Sequence, residues 1–90
     1  MSASKKIARN NDVAWRMIEG EILAVDPRSS FVYVLNGVGS RVWELADGGR
    51  TIDEITRIID AEFQGEKAAL KEDIDEFLRE LFRQKLISIG

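Results

Sequence analysis

Leu35-Asn36-Gly37-Val38-Gly39-Ser40-Arg41-Val42-Trp43-Glu44-Leu45-Ala46-Asp47-Gly48-Gly49-Arg50-Thr51-Ile52-Asp53-Glu54-Ile55 holds a strand end, a helix, a stop and the start of a second helix in one stretch. Asn36 suits an N-cap, its side-chain oxygen accepting a bond from an orphan N–H of the first turn. Val38, Val42, Leu45 and Ala46 then recur on one helical face. Gly48-Gly49 is expected to end that helix, because glycine enters the left-handed C′ conformation without a Cβ clash. Thr51-Ile52-Asp53-Glu54 reads as a capping box opening the next helix.

Downstream the helical period continues. Ile52, Ile55, Ile59 and Phe63 give the second helix an apolar stripe, with Gly65 as its expected end. A third helix is predicted from about Ala68 to Gln84, with Leu70, Ile74, Phe77, Leu78, Leu81 and Phe82 apolar. That stripe is wider than one contact face requires. Lys85–Ile89 reads as a short closing extended segment.

Upstream the period is two. Val13, Trp15 and Met17 alternate with Ala14 and Arg16, and Glu19-Gly20 fits a two-residue hairpin turn. Ile22–Val25 is a second strand. Asp26-Pro27-Arg28-Ser29-Ser30 is turn chemistry. Phe31-Val32-Tyr33-Val34-Leu35, aromatic and β-branched, is the clearest strand. Three strands on short turns make an antiparallel meander, and the simplest order leaves the third at an edge. The expected class is α+β, a three-stranded antiparallel sheet followed by three helices (βββααα). Residues 1–11 are expected to be a flexible polar tail, and residues 12–90 a single domain.

Ninety residues with 44% hydrophobic and 32% charged content suit one small globular domain without a deep enzyme pocket. The chain has no cysteine and no histidine. Disulfides, thiolate chemistry and the commonest general base are therefore excluded, and a zinc site is not expected. No paired-acid constellation stands out, so an enzyme is not expected and no cofactor is implied. No apolar run approaches the roughly 20 residues of a membrane span, and residues 1–11 lack the apolar core of a secretory signal. A cytoplasmic location is the expectation.

The net charge of −3 is unevenly spread. Residues 1–16 carry a net +3, residues 60–80 a net −5. A basic tail and a solvated acidic helix face account for this without a partner. Gly37-x-Gly39 before a helix invites a phosphate-loop reading. The third glycine and the Gly-Lys-Ser/Thr pattern are missing, however, and close packing against the first helical turn is preferred. Three short helices beside three strands have the outline of a winged helix-turn-helix. As the last helix of a DNA reader, one bearing Glu72, Asp73, Asp75, Glu76 and Glu80 would meet phosphates with the wrong sign. A DNA-binding regulator is kept as the alternative, and no nucleic acid or membrane partner is expected.

The third strand suggests another use. An edge strand leaves a row of backbone N–H and C=O groups unpaired, and no proline or lysine within Phe31–Leu35 blunts it. Either a partner peptide adds there as a strand, or the tail or C-terminal segment covers it. The same edge could also pair with a second copy as a homodimer. The broad apolar stripe of the third helix has two readings as well: one wall of a groove beside that strand, or a fully buried helix.

From about Val13 to Ile87 the chain resembles the PqqD-like family, named for a protein of pyrroloquinoline quinone biosynthesis. Three features carry the resemblance: Leu35-Asn36-x-Val38-Gly39 leading into Val42-Trp43-x-Leu45; Asp47-Gly48 followed by Arg50-Thr51-Ile52-x-Glu54-Ile55; and Phe77-Leu78-x-x-Leu81 leading to Leu86-Ile87. The resemblance implies a winged helix-turn-helix fold and a peptide-recognition element, a non-catalytic peptide chaperone. Such an element holds the leader of a ribosomally made precursor peptide as a strand beside the third strand and against the third helix. Carried over, the peptide-binding residues are Phe31, Val32, Tyr33, Val34 and Leu35, faced by Ile74, Phe77, Leu78 and Leu81. The implied partners are the precursor (leader) peptide and a modifying enzyme, in the founding pathway a radical-SAM enzyme.

Overall fold

The computed structural model of the protein describes residues 5–63 and 67–90. Its elements are β1 (Lys6–Arg9), β2 (Ala14–Ile18), β3 (Glu21–Val25), β4 (Val32–Leu35), α1 (Gly37–Leu45), β5 (Asp47–Thr51), α2 (Ile52–Phe63), α3 (Lys67–Arg83) and β6 (Ile87–Ile89). The fold is α+β, with two three-stranded antiparallel sheets, β2-β3-β4 and β5-β1-β6, around three helices.

The expected meander is present, with β4 at an edge. Its first turn is the two-residue hairpin Glu19-Gly20, joining Ile18 to Glu21 with positive φ at both residues (51° and 81°), the geometry that matches the twist of the flanking strands. The second turn is held by Asp26, whose carboxylate accepts from the Arg28 backbone N–H and from its guanidinium. The Asp26 carbonyl accepts from the N–H groups of Ser29 and Ser30.

The order of elements departs from βββααα, because a second sheet assembles from segments far apart in sequence. Lys6–Arg9, expected within a loose tail, is its central strand: Ile7 pairs with Arg50 on one side and Ile89 on the other. The N–H groups of Lys6 and Gly90 each donate to the other's carbonyl. Local pattern could not show this, since Ile7 is the only large apolar side chain of β1. Ile7 is fully buried, and burying one such side chain contributes roughly 1.5–3 kcal/mol.

The end of α1 is also made differently. The helix stops at Leu45, before the glycines, and Ala46 donates back to Val42 and Trp43. The Arg9 guanidinium, lying 5.0 Å from the Trp15 ring centroid, donates to the carbonyls of Trp43 and Glu44, both at 2.8 Å. A side chain from β1 thus satisfies the helix-end carbonyls that the glycine motif would have satisfied. Gly48-Gly49 instead forms the irregularity where Ala8 pairs with Asp47 and Ile7 with Arg50, and Gly48 takes φ +88° there.

Asn36 occupies the N-cap position, but its side chain makes no capping bond. The capping box of α2 is complete. The Thr51 N–H donates to Glu54 Oε1 at 3.0 Å and the Glu54 N–H to Thr51 Oγ1 at 3.2 Å. The expected end of α2 at Gly65 and the side chain of Leu70 lie outside what the structure describes.

The core lies among the helices, lined by the inner face of the β2-β3-β4 sheet and by Ile7 and Ile87 of the second sheet. Its largest fully buried side chain is Trp43, which the Trp15 ring meets edge-on at 6.3 Å between centroids. Arg41 ties α1 to α2 through a bidentate pair with Glu62 at 2.8 and 2.9 Å.

Candidate functional site

The β4 edge follows from its hydrogen-bond phase. Val25 pairs with Val32, Ala24 with Tyr33, Leu23 with Val34 and Ile22 with Leu35, and one step before them the Asp26 N–H donates to the Phe31 carbonyl. Hydrogen-bonded and non-hydrogen-bonded pairs alternate in an antiparallel ladder. Tyr33 and Leu35 therefore spend their backbone groups on β3, while the Phe31 carbonyl accepts from Asp26 just beyond it and the Phe31 N–H donates to Ser29 Oγ. Val32 and Val34 turn their N–H and C=O groups to the open side, where no strand pairs with β4 among the described residues.

The side chains alternate as well. Leu35 is buried and Tyr33 half-buried towards the helices, whereas Val32 and Val34 point out of the sheet with 60% and 57% of their surface exposed. Phe31 belongs by parity with Tyr33 but lies outside the strand at the end of the turn, and it is exposed.

The C-terminal half of α3 is tied to this edge. The Tyr33 hydroxyl donates to Gln84 Oε1 at 3.4 Å, just past the end of α3. Two turns back on that face stands Phe77, half-buried, its ring packed on α1 at Gly39; a Cβ on Gly39 would lie 3.4 Å from Phe77 Cζ. The close approach at Gly39 is thus to α3, not to the strand end. Gly37 serves its positive φ of 53° and has nothing near its Cβ position.

The nine residues expected to meet a peptide therefore divide. Leu35, Ile74, Leu78 and Leu81 are core. Phe31, Val32 and Val34 are exposed, and Tyr33 and Phe77 stand between, at the surface but packed on the core. The wide stripe of α3 is explained mainly by burial. Of the pair Phe77/Leu78, only Phe77 reaches the surface. Phe82 is exposed but elsewhere, lining a cleft of about 790 Å³ with Asn10, Asp12 and Lys85. No pattern in sequence marks that cleft, which joins residues 9–12 to 82–88.

The exposed face of α3 is acidic but partly neutralised. Arg79 pairs with Asp75 at 2.9 Å and Arg83 with Glu80 at 2.7 Å. Glu72, Asp73 and Glu76 have no ion pair among the described residues. Glu62 is held below the usual range by its hydrogen bonds from Arg41, and Asp26 by those from Arg28. Among the described residues no group of acidic side chains could hold a metal ion, and no helix is long and apolar enough to cross a membrane.

Comparison with known proteins adds to this geometry. The family profile of coenzyme PQQ synthesis protein D (PqqD) matches residues 21–87. The solved structure of TbiB1 in complex with the TbiA(beta) leader peptide superposes with a TM-score of 0.81 at 27% identity, over 90% of this chain and 94% of that one. Lasso peptide synthetase B1 complexed with its leader peptide superposes with a TM-score of 0.79, over 92% of this chain and 98% of that one. At 13% identity the second match speaks for the fold alone. Among curated proteins no sequence matches significantly.

Proposed function

Because the chain belongs to the coenzyme PQQ synthesis protein D (PqqD) family, we propose that it is a non-catalytic adaptor that binds the leader segment of a ribosomally made precursor peptide and presents it to a modifying enzyme. One observation carries this reading: the unprotected β4 edge, with the backbone groups of Val32 and Val34 facing outward. A leader segment adds there as a fourth strand, its N–H and C=O groups completing the ladder. Alternate side chains of that strand turn inward towards Tyr33 and Phe77, and the others turn outward beside Val32 and Val34. Phe31 flanks the entrance, and Leu35, Ile74, Leu78 and Leu81 hold Tyr33 and Phe77 in place from the core. The leader peptide bound by TbiB1 supports the same role.

The mutual packing of α1, α2 and α3 beside the β2-β3-β4 sheet is read as winged-helix-like. The acidic surface of α3 opposes the alternative of a DNA regulator, which needs positive charge against phosphates. The enzyme served is of the radical-SAM kind in the founding pathway of the family. A ribosomally made substrate puts the encounter in the cytoplasm.

Titration of isotope-labelled protein with a synthetic leader segment, taken from a short precursor encoded beside this chain, tests the reading. Amide shifts are expected to cluster on Val32–Leu35 and around Phe77. A well-dispersed spectrum that no such leader perturbs would overturn it.

A further inference from the structure

The outer face of the β2-β3-β4 sheet has no cover among the described residues. Parity along the three strands sorts the side chains. Trp15, Ala24 and Tyr33 lie in one inward row, and Met17, Ile22 and Leu35 in the next. The outward rows are Ala14–Val25–Val32 and Arg16–Leu23–Val34, with Ile18 opposite Glu21 near the hairpin. An antiparallel sheet with one solvated face ordinarily carries polar residues there. Here the face is aliphatic: Val25 is 37% exposed, Ile18 44%, and Val32 and Val34 more than half. Arg16 is the cation within it, exposed and without an ion pair among the described residues.

We propose that this outer face is a docking surface for the modifying enzyme, and that the bound leader strand completes it. The inference rests on the adaptor reading above. Its rows end at β4, the edge where the leader adds, so every second leader side chain prolongs a row: one beyond Val32, the next beyond Val34. Empty, the face is small. Three strands about 4.8 Å apart and five residues at about 3.4 Å each cover roughly 240 Å². A second copy stacked on it would bury far less than the roughly 800 Å² per partner of a stable complex. The modifying enzyme is different, because it also engages the downstream part of the same peptide. Tethered in that way, a weak face contact becomes an intramolecular one with a high effective concentration. The partner's matching surface is flat and apolar, with a carboxylate placed for Arg16. The enzyme then favours the loaded adaptor over the empty one, so delivery is coupled to peptide capture.

Val25→Lys and Ile18→Lys test this away from the peptide edge, since both side chains are exposed on β3 and β2. The probes are the fluorescein-labelled leader segment of the adjacent precursor and the purified modifying enzyme encoded with it. Leader binding is read by anisotropy, enzyme binding by interferometry with and without leader, and folding by circular dichroism. For the wild type, leader is expected to tighten enzyme binding roughly tenfold. Both variants are expected to stay folded, keep leader affinity within about twofold, and lose roughly tenfold in enzyme binding, as truncated interface anchors do. Variants that dock like wild type overturn the proposal while the adaptor reading stands. Equal binding of the enzyme to empty and loaded protein does the same. So does a wild-type dimer in sedimentation that either variant dissolves, which would assign the face to a second copy. A wild type that binds no leader overturns both readings.

Discussion

Trp43 and Gly39 show how single positions hold the site. Trp43 fills the centre of the core with no exposed surface, its neighbours including the edge of Trp15. Trp43→Ala should lower unfolding free energy by about 3–5 kcal/mol in a urea titration, the usual cost of truncating a buried aromatic. Gly39 is helical, and the nearest atom to an added Cβ is Phe77 Cζ at 3.4 Å, an ordinary contact. Alanine there removes the helix cost of glycine, so Gly39→Ala should stabilise by roughly 0.5–1 kcal/mol in thermal melts. A loss of stability instead would mean that Phe77 cannot accommodate even a methyl group, and that its ring is fixed by α1 before any peptide arrives. Gly37 would not tolerate the same change as well, because its φ is positive.

At the scale of the element, β4 divides its work between neighbours. Tyr33 and Leu35 bond β3, and Val32 and Val34 turn their donors and acceptors to the side where no strand pairs with β4 among the described residues. Val34→Pro therefore removes one outward N–H and leaves the β3 ladder in place, the condition under which an edge strand accepts proline. A net backbone hydrogen bond is worth about 0.5–1.5 kcal/mol, so leader affinity should fall about two- to tenfold from this term alone, and further if the ring clashes with the incoming strand. Anisotropy with labelled leader measures the loss, and the amide spectrum shows whether the sheet persists. Undiminished binding by a folded Val34→Pro protein would remove strand addition at this edge.

At the scale of the whole molecule, charge sets two behaviours. Glu62, Asp26, Glu54 and Asp47 all have lowered pKa values, through hydrogen bonds from Arg41, from Arg28, from the Thr51 backbone and from the Gly49 backbone respectively. Groups lowered in the folded state contribute stability that is full above their unfolded values, 4.5 for Glu and 3.8 for Asp, and lost as pH falls through the lowered folded values. Tm should therefore stay level from neutral pH down to about 5 and decline below that. Glu62→Gln should flatten part of the decline, since it deletes one of the titrating groups. Glu72, Asp73 and Glu76 along α3, without an ion pair among the described residues, give the second behaviour. They suit a leader with basic residues, and added salt should then slow association more than it speeds dissociation. Stopped-flow mixing at increasing ionic strength reads this directly, and salt-independent association would show that the acidic face takes no part in steering.

Much of this protein was legible in its sequence because the determinants are local. Period-two alternation, two positive-φ residues in a hairpin, and a Thr51–Glu54 capping box each fix backbone geometry within a few residues, and the three meander strands and three helices stand where those signals put them. The meander order also made β4 an edge. Tertiary structure decided what depends on contacts across the chain. Lys6–Arg9 becomes a strand only because β5 and β6 supply ladders on both sides of it. Arg9, from that strand, closes α1 in place of the glycines. Ile74, Leu78 and Leu81 read as candidates for a groove but lie in the core, since an apolar stripe records that a helix is covered and not by what. The phase of the β4 ladder and the bare outer face of its sheet come from strand pairing, which no single segment encodes.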